Sequence, residues 1–114
     1  MQIQPITNQP NFNGKFVFKE RAEKFNKYAP SQISKLFNDV TVLVSEKPYD
    51  IFIWTNKNNP EFYNVAANKT FEKAQRIKEY TVKVHSNTLA ESIVDAAKEA
   101  IDMYEKYIAK GIKG

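Results

Sequence analysis

A chain of 114 residues with 42% hydrophobic and 13% aromatic side chains carries enough apolar material for one packed domain. The absence of cysteine excludes disulfides, thiolate catalysis and zinc–thiolate sites, and a single histidine leaves metal binding to carboxylates. A net charge of +4, with every basic residue except Arg21 and Arg76 a lysine, describes a solubilising surface that also suits an acidic partner or nucleic acid.

Residues 1–13 hold no charged side chain and are rich in Gln, Asn and Pro, so they are expected to form a flexible N-terminal arm. Residues 14–114 are read as a single α+β domain. No basic segment leads into an apolar run, and no apolar stretch reaches membrane-spanning length. A cytoplasmic protein with no membrane partner is therefore expected. Gly14 opens a short strand over Lys15–Lys19. Ala22, Phe25 and Ala29 recur at helical spacing until Pro30, and Ser31 can cap a second short helix carrying Ile33, Leu36 and Phe37. These form either a helix pair or one kinked helix, ending at Asn38-Asp39.

Val40–Asn56 gives the strongest pattern. Two β-branched runs flank Glu46-Lys47-Pro48-Tyr49, and proline presets a turn, so the segment predicts a β-hairpin. The period of two places Val42, Val44, Ile51 and Ile53 on the core face and Leu43, Phe52 and Trp54 on the other. After the loop Asn-Lys-Asn-Asn-Pro, Glu61–Ala67 is a strand candidate, and Asn68–Arg76 fits either a helical turn after Thr70 or a bent hairpin. Ile77–His85 alternates as a strand with Tyr80, Val82 and Val84 buried. Thr88–Lys110 predicts a long helix whose stripe is Leu89, Ile93, Ala96, Ala97, Ala100, Tyr104, Tyr107 and Ile108, with Gly111 as its C-cap. Together these predict a two-layer α+β sandwich. Its sheet is mainly antiparallel, of four or five strands, with the long C-terminal helix and the short or kinked N-terminal helix pair on one face.

Glycine occurs only at 14, 111 and 114, so no phosphate-binding loop, dinucleotide fingerprint or nucleophile elbow is present. His85 sits at a strand end as an ordinary surface histidine. Asp95, Glu99 and Asp102 read as a solvated helix face rather than a metal site. The expectation is a non-catalytic module without cofactor or metal. Its binding surface is the second face of the hairpin, where Leu43, Phe52 and Trp54, joined by Tyr63, form an aromatic patch. Such a patch marks contact with a protein partner or a second copy of the chain, unless the arm or the Asn68–Arg76 segment covers it. With Lys83 and His85 on the wet face of the neighbouring strand, the alternative ligand is RNA, whose bases stack on open aromatic sheets. The succession strand–helix–three strands–helix, over about Lys15–Lys110, resembles that of ribosome hibernation factors and, without the first strand, of double-stranded-RNA-binding domains. The resemblance is one of element order and implies RNA as a partner. The chain departs from the latter at Thr88-Leu89-Ala90-Glu91, where those domains carry lysines at the start of the last helix.

Overall fold

The computed structural model describes residues 13–19, 29–86, 88 and 90–109. The N-terminal arm up to residue 12, residues 20–28 of the helix expected over Glu20–Ala29, Leu89 of the C-terminal stripe and the Gly111 cap lie outside the described residues.

The first corrections concern Pro30 and the hairpin. Helix α1 runs Pro30–Val44 without a break. Proline is tolerated at the first helical position because its missing N–H would have no partner there. Pro30 therefore starts the helix, and the Gln32 side chain accepts the Ala29 N–H at 3.0 Å. The run Val40–Val44 is the last turn of this helix, not a strand. Leu36, Val40 and Val44 are spaced by four and are buried, whereas Val42 is 71% exposed. Periods of two and of 3.6 both bury Val40 and Val44, so the exposed Val42 and Leu43, packed against the main core, separate the readings.

The described strands are β1 (Phe16–Lys19), β2 (Asp50–Thr55), β3 (Phe62–Asn68) and β4 (Val82–His85). They form one mixed sheet in the order β1-β2-β3-β4. The β1–β2 pair is parallel, as its connection through α1 allows, and the other two pairs are antiparallel. Gly14 brings the chain into β1 against the end of α1, where its N–H donates to the Val44 carbonyl at 3.0 Å. A Cβ at Gly14 would collide with the backbone oxygens of Tyr49 and Val44, so only glycine fits this approach.

The inner face of the sheet carries Phe16, Ile51, Ile53, Tyr63, Val65 and Ala67, packed under α1 and helix α3 (Ala90–Met103). Ile93, Ala96, Ala97, Ala100 and Tyr104 are buried as the helix stripe predicts, and the small alanines let α3 sit close. Tyr107 departs from that stripe: it is 47% exposed and stacks on Tyr80 with ring centroids 5.0 Å apart. Tyr107 lies within a π-helical turn over Tyr104–Ile108, which departs from the α-helical spacing that defines the stripe. The strand expected over Ile77–His85 is shorter than its alternation suggests. A 3₁₀ turn occupies Lys78–Tyr80, closed by the Thr81 hydroxyl donating to the Ile77 carbonyl at 3.2 Å.

The helices do not all lie on one face. Helix α2 (Phe71–Arg76) folds back over the outer face of the sheet and adds part of a third layer. Among the described residues no helix is long and apolar enough to cross a membrane.

Candidate functional site

Helix α2 decides what the outer face offers. Thr70 is its N-cap, its hydroxyl accepting the Lys73 N–H at 3.2 Å, and Glu72 and Arg76 suit the two ends of its dipole. Phe71 and Ala74, three residues apart, point down onto the sheet. Phe71 packs at 5.6 Å from Phe52 and edge-on at 5.2 Å from Trp54, and the Lys19 ammonium lies 5.4 Å from its ring centroid. Phe52 and Trp54 are left 4% and 5% exposed. The open aromatic patch expected from the sequence is thus a small second core inside the monomer.

The other expected patch members are elsewhere. Leu43 belongs to α1 and packs against the main core. Tyr63 is fully buried on the inner face, because the register pairs it with Thr55 and Val84 rather than with the outer-facing positions. Loop closure sets that register: the Asn56 N–H donates to the Phe62 carbonyl, and the Phe62 N–H to the Asn59 carbonyl, both at 3.0 Å. Lys83 and His85 are exposed on the outer side of β4, as expected. His85 lies edge-on to Phe62 at 5.2 Å, with Nε2 3.8 Å from the Glu61 carboxylate.

What remains open on the outer face is a polar cleft of about 710 Å³. Trp54 lies in its wall beside Asn56, Lys57, Asn58 and Asn59 of the β2–β3 loop and Asn64 of β3. Gln75 of α2, Lys78, Thr81 and Lys83 complete it. Two of the expected site residues, Trp54 and Lys83, therefore meet here. Among the described residues the lining includes three lysines, five amide side chains and no carboxylate. Lys78 and Lys83 make no ion pair with any described residue.

Some of these amides shape the cleft rather than serve a ligand. The Asn56 side-chain oxygen accepts the N–H groups of Asn58 and Asn59 at 3.0 and 3.1 Å, holding the loop in an Asx turn. Its NH₂ donates to Asn64 Oδ1 at 3.2 Å, which leaves the Asn64 NH₂ with no acceptor among the described residues. Asn59 Oδ1 is the acceptor for the Glu61 N–H at 3.4 Å. Sequence reading passed over these residues because Asn-Lys-Asn-Asn-Pro carries the composition of any surface loop. The missed signal was the same amide chemistry at Asn64 on the adjoining strand and at Gln75 on α2.

Chemically the cleft offers positive charge, N–H donors and amide acceptors around an indole edge. Its described lining holds neither a nucleophile–base pair nor a set of metal ligands. Among the described residues no group of three His, Cys, Asp or Glu side chains is placed to hold a metal ion. No protein-family model, curated protein or solved structure matches the chain.

Proposed function

We propose that the protein is a non-catalytic binding module whose ligand is single-stranded RNA, held in the outer-face cleft. The observation that carries the reading is a lining, carboxylate-free among the described residues, that brings Lys57, Lys78 and Lys83 together with Asn58, Asn64 and Gln75. Lysines neutralise phosphates and release counterions, while amides match the donor and acceptor edges of unpaired bases. Element order favours the same class of ligand, since strand–helix–three strands–helix, with α2 inserted before β4, is the succession that suggested RNA. A duplex is disfavoured, because α3 begins Ala90-Glu91 without the lysines that double-stranded-RNA-binding domains use. Phe52 and Trp54 pack under α2, which supports this reading over association with a protein or a second copy through those two side chains.

Fluorescence anisotropy with labelled oligouridylate, measured across a salt series, tests the reading. Binding should weaken as salt rises, with a slope of about 0.7 per phosphate neutralised. The exposed pair Lys78→Ala/Lys83→Ala should lower both affinity and slope. Binding that ignores salt, or that is equal for duplex RNA, contradicts the proposal.

A further inference from the structure

Beyond α2 from the cleft lies a second concavity, and its chemistry differs. It is a groove of about 960 Å³ where the α1–β2 loop, the end of β3, α2 and the end of α3 meet. One rim is cationic. Lys73 and Arg76, three residues apart, share one side of α2, Lys69 precedes its N-cap at the end of β3, and none of the three pairs with a described acid. Glu72 lies on the same helix but not in the lining.

The interior is largely apolar. Tyr49 and Tyr104 pack with ring centroids 4.3 Å apart, and Ile77 and Ile108 lie beside them. The π-helical turn delivers Tyr104, Glu105 and Ile108 to the groove together. Such turns are frequent at functional sites.

The one carboxylate in the lining, Glu105, is already satisfied. Its Oε2 accepts the Tyr49 hydroxyl at 2.6 Å and the Lys47 ammonium at 3.0 Å. These two donors hold the Glu105 carboxyl below its usual range, and burial with the Glu105 hydrogen bond pushes the Tyr49 phenol up. Tyr49 therefore stays a donor and Lys47 stays occupied, so Lys69, Lys73 and Arg76 are left with no counter-charge among the described residues.

A groove with an aromatic and aliphatic interior beneath a cationic rim unpaired among the described residues is complementary to a molecule with the same division. We propose that it binds a small amphipathic anion: a carboxylate or phosphate ester carried on an apolar body. The head meets Lys73 and Arg76, where a guanidinium can take two oxygens at once, and the body lies along Tyr104, Ile77 and Ile108. This site is separate from the RNA cleft and stands without it.

Isothermal titration of the full chain tests the proposal, using decanoate and decyl phosphate below their micelle-forming concentrations. At least one should bind saturably at one site per chain, and the tighter of the two identifies the head group. Lys73→Ala/Arg76→Ala, both surface positions, should weaken that binding about tenfold or more. The cleft pair Lys78→Ala/Lys83→Ala should leave it unchanged. The proposal is overturned if neither probe binds saturably, or if the Lys73/Arg76 variant binds as the parent does. It is equally overturned if decanol or inorganic phosphate binds as tightly as the whole amphiphile.

Discussion

Shortening Phe71 to alanine probes how the outer face is closed. Phe71 is the side chain that ties α2 to the sheet, touching both Phe52 and Trp54, with Ala74 the one fully buried residue of the helix. Cutting a fully buried phenylalanine to alanine costs about 3–5 kcal/mol, and Phe71 is only half-buried, so a loss of about 2 kcal/mol is expected. Six residues cannot stay helical in isolation, so much of that loss should appear as detachment of α2 rather than as global unfolding. Tryptophan fluorescence reports it directly, because Trp54 is the single tryptophan. The parent should emit to the blue, resist iodide quenching and be indifferent to dilution. Phe71→Ala should move the emission to the red and admit iodide. Red, readily quenched emission from the parent, or an unchanged spectrum in the variant, would refute the closed outer face.

Three further outcomes follow from the packing. Leu36→Ala should destabilise by about 2–5 kcal/mol and Val42→Ala by less than about 0.5 kcal/mol in urea unfolding, because helical spacing buries the first and exposes the second. Gly14→Ala should cost about 1–3 kcal/mol, since its Cβ meets rigid backbone rather than a movable side chain. Glu105→Gln should lower Tm above the ordinary carboxylate range, near about pH 4.3, and the difference should shrink as pH falls. The sign follows from the lowered pKa of Glu105: its stabilisation is complete above the unfolded value and is lost as pH drops through the lower folded one. The effect is modest because the Glu105 side chain is 44% exposed.

Much of the scaffold was legible where one period had no rival. Ile51 and Ile53 on the inner face, Val82 and Val84 on β4, and the alanine stripe of α3 all sit as their spacing demands. The segment Val40–Val44 was not legible from strand preference alone. Four β-branched residues around Leu43 satisfied a strand, while Ile33, Leu36, Val40 and Val44 already extended a helical stripe, and packing on the sheet decided between them. Tyr63 shows the sensitivity of register, since moving one residue around the β2–β3 loop changes its face. Trp54 was assigned to the correct side of the sheet, yet side alone does not give exposure. The cover came from a six-residue helix whose sequence also fitted a hairpin. The cleft was still less visible, because amides and lysines from five separate segments acquire meaning only once the fold brings them together.

Side-chain amide signals in a nitrogen–proton correlation spectrum, recorded during titration with oligouridylate, test the central claim most directly. Single-stranded RNA in the outer-face cleft should shift the NH₂ signals of Asn58, Asn64 and Gln75 and the indole N–H of Trp54, while the backbone amides of α1 stay in place. Shifts confined to α1 or to the Tyr49–Tyr104 groove, with the cleft amides unmoved at saturation, would contradict it.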